Sequence, residues 1–156
     1  MPRISRILVP TDFSAASDAA LRYARSLATQ FGASITLVHV FEDPFASGAF
    51  VGDGVVTMPL DLRNALECAA RERLEKQHAE HAQSLPLSSA DLLMGPAAKR
   101  IVEHAEKIHA DLIVMGTHGR GGLGHLLLGS IAEKVVRTAN CPVLTAREPQ
   151  AEAAAA

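Results

Sequence analysis

With 156 residues, the chain is long enough for one domain whose own core stabilises it without disulfides or metals. A formal net charge of −2 gives no general attraction to nucleic acid. Neither a signal peptide nor a membrane span is expected, because the N-terminal apolar run at 7–10 is short and no later run approaches a span. Two cysteines without metal-site spacing favour a reducing, cytoplasmic setting.

Strand-like and helix-like patterns alternate along the chain. Short apolar runs predict five strands, at Ile4–Val9, at Ser34–Val40, within Leu85–Met94, at Asp111–Met115 and at Pro142–Thr145. Helical periodicity and end signals predict four helices, at Ser14–Phe31, at about Pro59–Ser84, after Gly95-Pro96 and at about Ser130–Thr138. The glycine-rich stretch Asp43–Thr57 is expected to be a long flexible connection. One domain is therefore expected over residues 1–147, followed by a short disordered tail at 148–156.

This alternation indicates an α/β fold, in which a parallel sheet carries helices on both faces. In such sheets, ligands bind beyond the carboxyl ends of the strands, at the point where the strand order reverses. The residues that follow the predicted strands are therefore the first place to look for a site.

A glycine-rich segment after the fourth strand carries the strongest functional signal. Gly116-Thr117-His118-Gly119 is followed, nine residues later, by Gly129-Ser130 at the start of a predicted helix. Glycines let backbone N–H groups approach an anion closely, and a helix start adds unpaired donors and the positive end of its dipole. The Ser130 hydroxyl is expected either to cap that helix or to touch the anion. The segment therefore predicts a phosphate site.

Two familiar phosphate motifs fit this segment poorly. The glycine spacing of Gly124–Ser130 matches a P-loop, but the lysine that contacts the β and γ phosphates is missing. Gly119–Gly124 matches G-x-G-x-x-G, but the helix opens only near Gly129. The next strand ends at Thr145-Ala146-Arg147, with no acidic residue for a ribose. Both motifs are rejected.

The pattern G-x-x-G-x9-G-[ST] resembles the ATP-binding branch of the universal stress protein family. Three other segments resemble the first, second and last strands of that family, namely Ile7–Ser14, Leu37–Val40 and Cys141–Leu144. The resemblance covers about Arg6–Arg147. It implies a five-stranded parallel sheet of order 3-2-1-4-5, Rossmann-like and of the adenine nucleotide alpha hydrolase type. In that order the reversal falls between strands one and four, beside Pro10-Thr11-Asp12.

The resemblance implies an ATP site at this reversal. The Asp12 carboxylate would accept hydrogen bonds from the adenosine, and the backbone of Val40 would face the adenine. A helix cap or an Asx turn is the alternative role for Asp12. The residues assigned to the site are Pro10, Thr11, Asp12, Val40, Met115, Gly116, His118, Gly119, Arg120, Gly129, Ser130 and Ile131.

Backbone groups would supply most contacts to ribose and phosphate. Close approach is expected at Gly116 and Gly119, and phosphate binding at the helix start, Gly129 to Ile131. Three side chains nearby serve either as counter-charges for phosphate or only as solvated groups, namely His118, Arg120 and His125.

Other candidate chemistry is weak. His78 and His81 have a spacing that can bind a metal, but no third ligand is apparent. Cys141 lacks a partner base and is expected to be a small buried apolar residue. No catalytic residue and no metal ligand is assigned.

We therefore expect a cytoplasmic stress-response and signalling module that binds ATP, together with Mg²⁺, and acts through a change of conformation or partner. The alternatives are a slow ATPase or self-phosphorylating enzyme, for which no water-activating base is apparent, and a nucleotide-independent interaction protein. No nucleic acid or membrane partner is expected. The fifth strand, Pro142–Thr145, would lie at an exposed sheet edge, which invites pairing, and the resemblance implies a homodimer joined there.

Overall fold

Five parallel strands form the central sheet in the computed structural model, which describes residues 3–43, 49–51, 54–56, 59–82, 87–117 and 128–147. The elements are, in chain order, β1 Arg6–Pro10, α1 Ala15–Phe31, β2 Ser34–Phe41, β3 Ala49–Val51, β4 Gly54–Val56, α2 Leu60–Ala82, β5 Leu87–Met94, α3 Ala97–Lys107, β6 Leu112–Gly116, α4 Ser130–Thr138 and β7 Val143–Ala146. The sheet order is β5-β2-β1-β6-β7, with every adjacent pair parallel. Counted among sheet strands alone, this is the predicted order 3-2-1-4-5, and the prediction is confirmed.

Helices cover both faces of the sheet because the strands are apolar on both faces. In β1, the consecutive residues Ile7, Leu8 and Val9 are all completely buried, although successive side chains point to opposite faces. One core lies between the sheet and helices α1 and α2, and the other lies between the sheet and helices α3 and α4. The predicted two-faced architecture is therefore confirmed.

The connection between β2 and α2 contains a β-hairpin, so the prediction of a flexible stretch was wrong for part of it. β3 and β4 pair antiparallel, with Phe50 opposite Val55. The signal was present in the sequence, since two short apolar runs flank Gly52-Asp53, a spacing typical of a two-residue hairpin. The glycines and Pro44 favoured a flexible connection instead of a hairpin. Pro44 itself lies outside the described residues.

Helix α1 begins and ends at residues that the sequence marks. Ser14, where the predicted helix starts, is the N-cap, and the helix itself starts at Ala15. The Ser14 Oγ accepts a hydrogen bond from the Ser17 N–H at 3.2 Å. Gly32 ends the helix with a φ of 66°, a left-handed conformation that glycine adopts without steric penalty. The cap fixes the start of α1 directly behind the loop that follows β1.

The described residues leave two further predictions partly or wholly untested. The tail predicted at 148–156 lies outside the described residues, and α2 is described only as far as Ala82. Within the described ranges, no helix has both the length and the apolar character that a membrane crossing requires.

Asp111 ties β1 to β6 at the end of the sheet opposite the predicted site. Its Oδ2 accepts hydrogen bonds from the backbone N–H groups of Ser5 at 2.8 Å and Arg6 at 2.9 Å. Its own N–H donates to the Arg6 carbonyl at 2.9 Å. Because the register between β1 and β6 comprises only two residue pairs, these three bonds are a large share of what holds the strands together.

Replacement of Asp111 by alanine should lower the free energy of unfolding by about 1–3 kcal/mol, because two backbone donors lose their acceptor. Urea unfolding followed by circular dichroism measures the loss. Asp111→Asn keeps an oxygen at the same place, so it should lose less than Asp111→Ala. An alanine variant as stable as the parent protein would contradict this role.

Candidate functional site

The chain reverses its direction of travel across the sheet at β1 and β6. From β1 it passes through α1 to β2 on one side, and from β5 it crosses through α3 to β6 on the other. Beyond their carboxyl ends, the two strands continue as Thr11 and Thr117 into different loops. This is the geometry that leaves a ligand crevice in a parallel α/β sheet, and the reversal lies between the two strands that the family resemblance implies.

The loop after β1 is held by side-chain hydrogen bonds. Asp12 Oδ1 accepts from the Ser14 backbone N–H at 3.1 Å and from the Ser14 hydroxyl at 2.6 Å. Thr11 is buried, and its N–H donates to the Val38 carbonyl at 2.8 Å, which extends the ladder with β2 by one bond. The Asx turn expected as the alternative role of Asp12 is therefore present. It uses one carboxylate oxygen and fixes the orientation of the group.

Phe13 adopts a left-handed backbone conformation in this loop. Its φ is 63°, which is uncommon for a bulky residue and costs conformational energy. The Phe13 N–H donates to Thr11 Oγ1 at 3.1 Å, and the ring centroid lies 4.5 Å from that of His39. The Nδ1 atom of His39 is in turn 2.7 Å from the Thr11 carbonyl oxygen. Strain of this kind is concentrated at functional sites, and no local sequence signal marks it.

Val40 directs its backbone toward the crevice. The N–H and carbonyl groups of successive residues point to alternate sides of a strand. The carbonyl of Val38 points toward β1, because it accepts a hydrogen bond from the Thr11 N–H. Val40 therefore points to the same side, two residues beyond Val38, where the β1–β2 register ends. The structure thus places this backbone beside the loop of Asp12, and the contact with adenine that the family resemblance implies stays a prediction.

A side chain at Gly116 would collide with α1. A Cβ atom there would lie 2.9 Å from the backbone carbonyl carbon of Ala16 and 3.1 Å from its oxygen. The missing side chain therefore allows the first turn of α1 to pack directly against the end of β6. The close approach observed at Gly116 is to a helix, and the expected approach of a ribose to the same backbone stays a prediction.

Pro10 and Met115 can reach a ligand only through their backbones. Both side chains are buried, and that of Met115 packs in the core beneath α3 and α4. Pro10 also lacks an N–H, so its carbonyl is its only polar group. Any contact of these two residues with a ligand stays a prediction, and it would come from the backbone.

The first turn of α4 is tethered at the carboxyl end of β6. The Gly129 N–H donates to the Thr117 carbonyl at 2.6 Å, which joins the two ends of the glycine-rich segment. Gly129 is the N-cap, with φ −71° and ψ 155°, and Ser130 is the first helical residue. Capping by the Ser130 hydroxyl is therefore wrong, because a glycine occupies the cap. The first N–H groups of the helix, at Ser130 and Ile131, have no intrahelical partner.

Part of the predicted site lies outside the described residues. His118, Gly119 and Arg120 fall there, as does His125. Their assignments stay predictions. The described residues bring together the loop of Asp12, the backbone of Val40, the end of β6 and the start of α4.

The remaining candidate chemistry stays secondary. In the described ranges, no group of three or more histidine, cysteine, aspartate or glutamate side chains is placed to hold a metal. Burial raises the pKa of the Cys141 thiol, and the nearby Asp111 carboxylate raises it further, so the thiol stays protonated and is a poor nucleophile.

Fold and site together define a parallel α/β protein with a ligand crevice at its topological switch point. Residues 3–147 match the Universal stress protein family, and the chain belongs to that family. Universal stress protein MJ0531 of Methanocaldococcus jannaschii is 36% identical to this chain over 148 residues, which are 94% of this chain and 84% of that protein.

Solved structures share the fold. The structure of MJ0577, from the same organism, matches with a TM-score of 0.79 at 27% identity and covers 96% of this chain and 99% of that one. The universal stress protein from Archaeoglobus fulgidus, solved in complex with dAMP, matches with a TM-score of 0.61 at 22% identity and covers 94% and 99% of the two chains. The second likeness shows the fold alone.

Replacement of Gly116 by alanine should destabilise the protein by about 1–3 kcal/mol, because the added methyl group forces α1 away from β6. Thermal unfolding without ligand measures the effect. Ala98→Gly on α3, on the opposite face, gives a comparison that changes one methyl group without touching this contact. A Gly116→Ala variant with an unchanged melting temperature would contradict the packing role.

Proposed function

We propose that this universal stress protein binds ATP, as its Mg²⁺ complex, in the crevice between β1 and β6 and acts as a nucleotide-dependent stress-response module. The bond from the Gly129 N–H to the Thr117 carbonyl carries the proposal, because it holds the start of α4 beside the carboxyl end of β6. The unpaired donors of that helix then lie where the strand order reverses, which is where such sheets bind ligands.

The start of α4 supplies the phosphate site. Ser130 is exposed. The N–H groups of Ser130 and Ile131 lie in the first turn, so no carbonyl group within the helix accepts a hydrogen bond from them. The dipole of this nine-residue helix adds partial positive charge at the same end. Glu133, in the first turn, opposes an anion, so the backbone donors and the serine hydroxyl have to supply the attraction.

The loop of Asp12 and the backbone of Val40 supply the adenosine site. The N–H and carbonyl of Val40 face the crevice beyond the last β1–β2 pair, so they can bond to the edge of adenine without any side-chain chemistry. The Asp12 carboxylate, oriented by Ser14, can accept from ribose hydroxyls. That a protein of the same fold was solved with dAMP agrees with an adenine nucleotide as the ligand class.

Mg²⁺ would arrive with the nucleotide. This ion keeps most of its waters and is commonly held by substrate phosphates with one or two carboxylates, so no protein cage is needed. The chain has no P-loop lysine, which favours binding over rapid turnover. The output would then be a changed conformation or partner.

A proline at position 130 tests the phosphate site. Proline suits the first helical position, and Gly129 already has the extended ψ that must precede it, so Ser130→Pro should fold normally while it lacks this N–H. ATP affinity with Mg²⁺, measured by calorimetry, should fall by about tenfold or more, since a bond to a charged group contributes roughly 1.5–3 kcal/mol.

The control is Ser130→Ala, which keeps the N–H and lacks only the hydroxyl, and which should lose less affinity than Ser130→Pro. A parent protein that gives no heat and no thermal shift at millimolar ATP would overturn the proposed function. Equal affinities for all three proteins would place the nucleotide elsewhere.

We also propose that two copies join through β7. The Pro142 carbonyl accepts a bond from the N–H of Ile113 in β6, and the Ala146 carbonyl accepts one from Thr117, the residue after β6. The alternate residues Val143 and Thr145 therefore direct their backbones to the open edge. No described strand pairs with that edge. An unpaired parallel-sheet edge of this kind favours pairing with another chain.

Replacement of Thr145 by proline should give a monomer in sedimentation equilibrium, because it removes a donor from the open edge and leaves the bonds to β6 in place. Thr145→Val keeps the donor and should remain a dimer. Circular dichroism checks that both variants fold. A Thr145→Pro variant that is still dimeric would rule out this interface.

A further inference from the structure

A second cleft lies between α1 and α2, and Phe13 brings one border of it to the loop of Asp12. It encloses about 490 Å³, within the range of small-molecule sites. Helical spacing brings the lining side chains onto facing surfaces, at i, i+3 and i+4 positions of each helix. The residues that line it are Phe13, Asp18, Leu21, Arg22, Arg25, Arg73, Lys76, Gln77, Glu80 and His81.

The cleft is more basic than the chain as a whole. Three arginines and a lysine line it against two carboxylates, although the formal net charge of the chain is −2. Both carboxylates are already engaged, since Asp18 accepts from Gln77 Nε2 at 3.0 Å and Glu80 lies 3.9 Å from the Lys76 ammonium. Within the described residues, the guanidinium groups of Arg22 and Arg25 form no ion pair. A local excess of positive charge remains.

Gln77 gives a second indication of a ligand. The side chain is 9% exposed and lines the cleft, and its amide nitrogen is committed to Asp18. Its oxygen, Oε1, is buried and has no hydrogen-bond partner among the described residues. A buried acceptor without a donor is unfavourable, so a ligand hydroxyl that met Oε1 after the Gln77 side chain turned toward the cleft would stabilise it.

The remaining walls suit a small ligand better than a chain segment. Leu21 is 2% exposed and forms apolar floor, while the Arg73 guanidinium carbon lies 4.5 Å from the centroid of the Phe13 ring. That stacking holds one guanidinium at the border of the cleft. Arginine forks bind phosphate and carboxylate alike through two parallel bonds, so these walls suit a compact anion with more than one negative charge.

We propose that this cleft is a second binding site, for a small phosphate-bearing anion held by Arg22, Arg25 and Arg73. Phe13 connects the cleft to the loop of Asp12, but the three arginines lie on α1 and α2, and the proposed anion site does not depend on the proposed function. A ligand with two or more phosphate charges would bond to the guanidinium groups, and a hydroxyl on it would bond to Gln77 Oε1 once that side chain turns toward the cleft. The stress protein would then respond to a phosphorylated compound as well as to a nucleotide.

Calorimetric titration with inorganic pyrophosphate tests the proposal. It is done in the Ser130→Pro background, which weakens pyrophosphate binding at the start of α4. The double variant Arg22→Gln/Arg25→Gln should bind at least tenfold more weakly than that background. The matched control, Lys107→Gln/Lys134→Gln, removes the same charge from exposed positions on the opposite face and should stay within about threefold.

Three results would overturn the proposal. Equal loss in both double variants would show only a response to net charge. Binding that is present in the parent protein but absent in the Ser130→Pro background would assign pyrophosphate to the start of α4. Tighter binding of an oligoglutamate peptide than of pyrophosphate would identify an acidic protein segment as the occupant. Absence of ATP binding, by contrast, would leave this site intact.

Discussion

The close contact between Gly116 and Ala16 is the constraint on which the site depends. Because Gly116 has no Cβ, the first turn of α1 packs against the end of β6, and the loop of Asp12 is carried there with it. The same strand end holds α4 through the bond from Gly129 to Thr117. One short strand end therefore positions both the anionic and the donor-bearing parts of the crevice. At the opposite end, Asp111 holds β1 and β6 together, so the distance between the loops is set from both sides.

Asp12 links ligand binding to helix stability. Its Oδ1 accepts two bonds from Ser14, and Ser14 in turn caps α1. A nucleotide that bonds to this carboxylate would stabilise the loop and the first turn of α1 together. Phe13 lies between them in a strained, left-handed backbone conformation, and nucleotide binding would change the stability of that conformation. In the proposed function, this coupling would let a bound nucleotide change the surface around the loop and the start of α1.

Much of the fold followed from local patterns, because buried parallel strands and amphipathic helices have distinct periods. The helix at Ser130–Thr138 and the sheet order are confirmed, although the order came from family resemblance and not from the periods themselves. Three features were not predicted. The hairpin at Ala49–Val56 was hidden by neighbouring glycines, the φ of Phe13 depends on tertiary packing, and the contact at Gly116 depends on the path of a helix about a hundred residues earlier. Contacts so distant in sequence leave no local signal.

The central claim is that an adenine nucleotide occupies the crevice between β1 and β6. A crystal structure of the protein grown with ATP and Mg²⁺ tests it most directly. We expect density with the adenine edge on the Val40 backbone, the ribose at the Asp12 carboxylate and a phosphate at the N–H groups of Ser130 and Ile131. An empty crevice at saturating ATP, or a nucleotide bound anywhere else on the chain, would contradict it.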